Sequence, residues 1–156
     1  MRTSILILFT ILLYFSCKKQ SEVDESSICS PLGIYAALKY SGEKLVIAYN
    51  QVFDLPYTII RPSALYGERC VSRRVGQIFI ENAINGLEVS IAGDGTDRLD
   101  FTYIDDLVHG IIKVLESENS KNQIFNLTYG QSSTLAEMAK ILKEHFAITK
   151  INYLPK

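Results

Sequence analysis

Tyr57-Thr-Ile-Ile60 is the stretch that most narrows what this chain can become. Short, β-branched and aromatic, it reads as a buried strand. Arg61-Pro62 ends it, because proline has no N–H to give to a ladder. Around it lie segments whose apolar residues recur at helical spacing. Tyr35 to Asn50 is one. Val75, Ile78, Phe79 and Ala83 form a second, with Gly86 as its stop. Ile104, Leu107, Val108, Ile111, Ile112 and Leu115 make a third stripe, and Leu135, Met138, Ala139, Leu142 and Phe146 a fourth. Further strands fit Val89–Ile91 and Gln123–Leu127. The loop from Pro62 to Arg69 then leaves the carboxyl end of a parallel strand, where open α/β sheets bind ligands.

Local signals support these boundaries. Thr134-Leu-Ala-Glu137 is a capping box ahead of the last helix. Asp105 and Asp106 fall in the first turn of the third, where the helix dipole favours acids, so capping is their expected role. Gly93-Asp94-Gly95 has neither a third glycine nor an immediate helix, and reads as a turn rather than a dinucleotide loop.

The length of 156 residues suits one domain with a usable core. A net charge of −1 gives no reason to expect nucleic acid or an anionic membrane as partner. Cys17, Cys29 and Cys70 are odd in number and lack C-x-x-C spacing, and His109 and His145 stand far apart. Neither a disulfide framework nor a metal site is expected.

Met1 to Phe15 allows two readings besides that of an artefactual start. Arg2, the apolar run Ile5 to Phe15 and Ser16-Cys17 read as a secretory signal, with Cys17 placed like a lipoprotein's lipidated residue. The run is too short to span a bilayer, which needs ~20 residues. The same run also reads as a buried parallel strand ending at a polar residue. Residues Lys18 to Gly33, rich in serine, read as a loop.

Tyr35 and Lys39 stand one turn apart on one side of their helix. A phenol titrates near pH ~10 and is a poor base at neutrality. A neighbouring ammonium favours the phenolate. Such a tyrosine can take a proton from a substrate hydroxyl while a cofactor takes the hydride from the same carbon.

The motifs Tyr35-Ala-Ala-Leu-Lys39, Arg61-Pro-Ser-Ala-Leu-Tyr-Gly67 and Gly93-Asp-Gly-Thr-Asp-Arg-Leu-Asp-Phe101, followed by Ile124-Phe-Asn-Leu127, occur in one order. That order resembles the extended short-chain dehydrogenase/reductase family, the NAD-dependent nucleotide-sugar epimerases and dehydratases. The likeness runs from about Asp24 to about Phe146 and covers the family's second half. It implies an α/β fold: the carboxyl-terminal half of a Rossmann-like parallel sheet, with part of a small substrate-binding region. Residues 1–23 would be a separate apolar segment and linker, and 24–156 the catalytic and substrate-binding half.

The resemblance further implies Tyr35 as base, with Lys39 its electrostatic partner and a ligand of the nicotinamide ribose. Pro62, Ser63 and Leu65 would border the nicotinamide. Ala64 stands where the family commonly has a substrate-touching asparagine. Arg69, with Arg73 and Arg74 nearby, suits a nucleotide-sugar diphosphate. Arg98 stands one position before the family's phosphate-contacting arginine, at Leu99. Ser16 would occupy the strand end where the family's catalytic serine or threonine lies.

The nine glycines, at 33, 42, 67, 76, 86, 93, 95, 110 and 130, make neither G-x-x-G-x-x-G nor G-x-G-x-x-G. Dinucleotide binding in this fold needs such a turn at a helix start, and an acid about 20 residues on for the ribose. The expectation is therefore an NAD-dependent nucleotide-sugar epimerase or dehydratase in truncated or split form, inactive by itself. Its partners would be the nucleotide sugar and either a second copy or a complementing amino-terminal half. The cytoplasm is the expected compartment, where NAD and nucleotide sugars are found. The rival is a non-catalytic remnant, exported and membrane-anchored through Cys17.

Overall fold

The computed structural model describes residues 6–9, 24–71, 74–147 and 150–155. The chain divides into two compact units: Met1–Ser63 with Asp106–Thr128, and Ala64–Asp105 with Tyr129–Lys156.

The first unit is built on a parallel sheet of three strands, β1 (Leu6–Phe9), β2 (Tyr57–Pro62) and β7 (Gln123–Leu127), in the order β1-β2-β7. Leu6 pairs with Tyr57, and Thr58 to Pro62 pair with Gln123 to Leu127. The strand reading of the amino-terminal run thus applies to Leu6–Phe9. Ser16 and Cys17 lie outside the described residues. Every residue of β2 is buried, as expected of a parallel strand covered on both faces. It runs two residues further than its sequence suggests. Arg61 and Pro62 stay in register with Asn126 and Leu127, and a proline at the last position ends the strand without breaking its interior.

Helix α1 (Ile34–Phe53) packs Val46 against Tyr57 and Ile59, with Ile47 and Ile124 alongside. At its end Asp54 turns left-handed (φ 55°) and its N–H donates to the Asn50 carbonyl at 2.8 Å. Asn122 then ties the helix end to the sheet: its Oδ1 accepts from Asn50 Nδ2 and from the Tyr57 N–H, each at 3.2 Å. The opposite side of α1 is also apolar. Ile34 (82% exposed), Leu38 (67%), Leu45 (60%), Tyr49 and Val52 face outward. Helix α3 (Ile104–Glu116) likewise buries only part of its stripe: Leu107 and Val114 are inside, whereas Val108, Ile112 and Leu115 are exposed. Gly110 brings α3 close to β7, since a Cβ there would lie 3.1 Å from Leu127 Cδ1.

The second unit has three strand pairs. β3 (Ala64–Tyr66) runs parallel to β6 (Phe101–Tyr103), and β4 (Val89–Ala92) parallel to β9 (Ile151–Leu154). β5 (Arg98–Leu99) is antiparallel to β8 (Ser133–Thr134). The segment from Pro62 to Arg69 is therefore not all loop, because β3 lies inside it. Helices α2 (Val75–Ile84) and α4 (Leu135–His145) enclose a core of Phe79, Ala83, Val89, Ile91, Leu135, Ala139 and Leu142. Phe146, expected in that core, is exposed. Gly86 is left-handed (φ 65°) just past α2, where the Leu87 N–H reaches back to the Asn82 carbonyl at 2.8 Å. The turn at Gly93-Asp94-Gly95 is closed by Asp94 Oδ1, which accepts from the Thr96 N–H and hydroxyl at 3.0 and 2.7 Å.

The capping box forms as its spacing predicts. The Glu137 N–H donates to Thr134 Oγ1 at 3.0 Å, and the Thr134 N–H to Glu137 Oε2 at 2.7 Å. The second bond, with the threonine hydroxyl, holds the Glu137 carboxyl below its ordinary value of 4.5. Its contribution is therefore present above that value and lost as pH falls through the lower folded one. Thr134→Ala, which removes the hydroxyl but keeps the backbone N–H bonded to Glu137, is expected to cost about 1 kcal/mol in urea unfolding at neutral pH. An unchanged urea midpoint would deny the hydroxyl its capping role.

No helix among the described residues is long and apolar enough to cross a membrane.

Candidate active site

Tyr35 and Lys39 sit in the first two turns of α1, after Gly33 (φ 82°) redirects the chain into the helix. Tyr35 is half exposed and Lys39 partly buried, with Lys39 Nζ 5.8 Å from the centre of the tyrosine ring. That is the neighbourhood the i, i+4 spacing predicts. Pro62 closes β2 and is buried, and Ser63 follows it half buried at the carboxyl end of the strand. The loop before α1 is tied to the same sheet, since Glu25 Oε1 accepts from the Asn126 N–H at 2.7 Å.

Two helix turns further on lies a pair that sequence reasoning missed. Glu43 and Arg61 are 1% and 7% exposed. Arg61 Nε donates to Glu43 Oε1 at 3.1 Å and Nη2 to Oε2 at 2.7 Å. The signal was available: Glu43 continues the Tyr35–Lys39 stripe by one more turn, and Arg61 is a cation at the end of a buried strand.

The remaining candidates belong to the second unit. Ala64 and Leu65 lie in β3, both half buried. Arg69 is exposed on a left-handed residue (φ 61°), and Arg74 stands at the start of α2. Arg73 lies outside the described residues. Arg98 is exposed but engaged: Nε donates to Ser132 Oγ at 3.0 Å and Nη2 to the Ser132 carbonyl. The aspartate of the Asp100-Phe101 motif clamps a loop. Its Oδ1 accepts from the Tyr129 N–H at 3.0 Å and its Oδ2 from the Gly130 N–H at 2.8 Å.

In the first unit, then, a hydroxyl and an ammonium share one stripe of a helix packed on a parallel sheet, which suits proton transfer to or from a hydroxyl-bearing substrate. The sequence model of the NAD-dependent epimerase/dehydratase family matches residues 9–128. A protein named as a UDP-glucose 4-epimerase from Methanocaldococcus jannaschii is 34% identical over 124 residues, which are 78% of this chain and 40% of the relative. The solved structure of a Thermotoga maritima UDP-glucose 4-epimerase with UDP-glucose superposes with a TM-score of 0.87 at 30% identity. The match covers 97% of this chain and 50% of that one. A Bacillus cereus UDP-glucuronic acid 4-epimerase with UDP-glucuronic acid and NAD gives 0.85 at 28% identity, covering 97% and 49%. The chain thus spans half or less of each of these relatives' length. It belongs to the NAD-dependent epimerase/dehydratase family.

Proposed function

We propose that this chain is the catalytic and substrate-binding portion of an NAD-dependent epimerase/dehydratase that acts on a nucleotide sugar. The observation that carries the reading is Lys39 Nζ at 5.8 Å from the Tyr35 ring, on a helix packed against the parallel sheet. Tyr35 takes the proton from a sugar hydroxyl and returns it. Lys39 holds positive charge beside the phenol and donates to ribose hydroxyls. NAD held there would supply a reversible hydride acceptor for the sugar carbon, with Tyr35, Lys39 and the strand end at Pro62-Ser63 as the residues that would hold its nicotinamide side.

The residues present fit one side of that cofactor. A hydroxyl, an ammonium and the strand end at Pro62-Ser63 suit the nicotinamide ribose. For the pyrophosphate there is no counterpart: none of the four described α-helices starts after a glycine-rich phosphate turn. Arg69 and Arg98 are the candidates for the sugar diphosphate. Arg69 is exposed, whereas Arg98 would first give up its bonds to Ser132. Ala64 leaves the substrate-facing position of β3 without an amide, so sugar selection rests on other residues. NAD and nucleotide sugars are cytosolic, and we assign the protein to the cytoplasm.

The test is kinetic. Fused to the glycine-turn half of a close relative, the chain is expected to turn over a UDP- or dTDP-sugar. Tyr35→Phe should then lower kcat by roughly a hundred- to ten-thousand-fold, the range of a lost acid/base group, with NAD affinity nearly unchanged. Lys39→Ala should damage both. Full activity of Tyr35→Phe would remove Tyr35 from the role of base.

A further inference from the structure

We propose that the buried Glu43–Arg61 pair is a positioning device that indexes the helix carrying Tyr35 and Lys39 against the end of β2. The inference rests on reading those two residues as the proton-handling pair.

Stability is a poor reason for the pair to exist. Taking a carboxylate and a guanidinium out of water is costly, and apolar side chains of similar volume hold a core as well or better. The surroundings are already apolar: Ile59 and Ile60 are fully buried beside Arg61 in β2, and Val46 is buried one turn from Glu43. What the pair has and an apolar contact lacks is direction. A guanidinium fork meeting both carboxylate oxygens accepts one rotation and one height of the helix, whereas packed methyl groups tolerate sliding.

The direction matters because of what lies above it. Only Asp54, Leu55 and Pro56 separate α1 from β2, so the two run antiparallel and the start of α1 lies toward the carboxyl end of the strand. From the level of Glu43, Lys39 is about 6 Å further along the helix and Tyr35 about 12 Å. From Arg61, Ser63 is about 7 Å further along the strand direction. Fixing Glu43 to Arg61 therefore brings Lys39 level with Ser63, and Tyr35 one turn beyond the strand end. A helix slipped by a single residue would turn Tyr35 by about 100° away from that direction. The far end of α1 is held separately, by Asn50 on Asn122. Glu43 holds the half that carries the chemistry.

The experiment uses the 156-residue chain, with thermal unfolding followed by circular dichroism and amide hydrogen exchange along α1. Glu43→Met/Arg61→Met removes both charges and keeps straight side chains. Arg61→Lys keeps the charge but loses the fork. The double variant is expected to unfold at or above the parent's temperature, while its amides from Ala36 to Gly42 exchange about tenfold faster than the parent's. Those beyond Val46 should not change. Arg61→Lys should loosen the same segment, which keeps the idea testable even if the double variant fails to fold. Unchanged protection of Ala36–Gly42 in both variants would overturn the proposal. So would a uniform loss of protection with a lowered unfolding temperature, since the pair would then be a simple stabiliser. In the fused enzyme the double variant should lose kcat with KM little changed. Exchange is read without turnover, so a failed positioning role shows there, and a failed enzymatic reading shows only in the fused protein.

Discussion

Titrated with NAD at millimolar concentration, the 156-residue chain will give no heat of binding. In this fold pyrophosphate and adenosine are held by a glycine turn at the first helix and an acid beyond it, and the nine glycines make no such turn. On the function proposed above, Lys39 and the strand end at Pro62-Ser63 serve the nicotinamide side alone. Each charge-assisted hydrogen bond to the pyrophosphate is worth roughly 1.5–3 kcal/mol. Losing two weakens binding by ~3–6 kcal/mol, roughly a hundred- to ten-thousand-fold at 1.4 kcal/mol per decade. The same preparation should run as an oligomer. Ile34, Leu38, Leu45, Tyr49 and Val52 form an outward apolar face on a helix that already buries its other side, and a helix apolar on both sides is built to be covered on both. A soluble monomer that binds NAD at micromolar concentration would show that the cofactor site lies elsewhere in the chain.

Gly67→Ala should be the most damaging methyl that can be added to the second unit. The glycine has φ 134°, a conformation other residues rarely adopt. Its Cβ would lie 2.6 Å from Ile104 Cγ2 and 2.9 Å from Tyr103 Cε2. Neither atom is the loose end of a flexible side chain, so β6 or the first residue of α3 must shift. Strain of about 1–2 kcal/mol and overpacking of about 1–3 kcal/mol together give a loss of about 2–5 kcal/mol. Gly130→Ala is the control. It too has positive φ (88°), but a Cβ there meets nothing within 4 Å, so only the strain should appear. Urea midpoints read both. Equal losses would mean that the backbone alone, and not the crowding at Ile104, governs Gly67.

The sequence exposed the elements whose signal is local. Gln123–Leu127 and the capping box at Thr134 carry their own boundaries, and both form as read. The Tyr35–Lys39 stripe was legible because an α-helix fixes which residues are neighbours before any tertiary contact forms. Strands of two or three residues were not. Ala64–Tyr66, Arg98–Leu99 and Phe101–Tyr103 are too short to display a period, and each exists only because a distant partner pairs with it. The outward residues of α3 misled for a related reason: Val108, Ile112 and Leu115 extend a clean apolar stripe, but periodicity reports what a face is made of and not what covers it. The pairing of Glu43 with Arg61 was not legible, because nothing within either segment says that the other will arrive to neutralise it.

The order in which the two units share the chain has a consequence for synthesis. The polypeptide leaves the first unit after Ser63, returns to it at Asp106 and leaves again after Thr128. During translation β2 must therefore wait, while all of Ala64–Asp105 is made, before β7 arrives to flank it. β4 waits in the same way, until Ile151–Leu154 has emerged. Neither unit can finish folding before the other's first segment is already out of the ribosome. Pairings this distant in sequence form slowly and leave strand edges open in the interval, so the nascent chain depends on chaperone cover more than a consecutive arrangement of the same strands would.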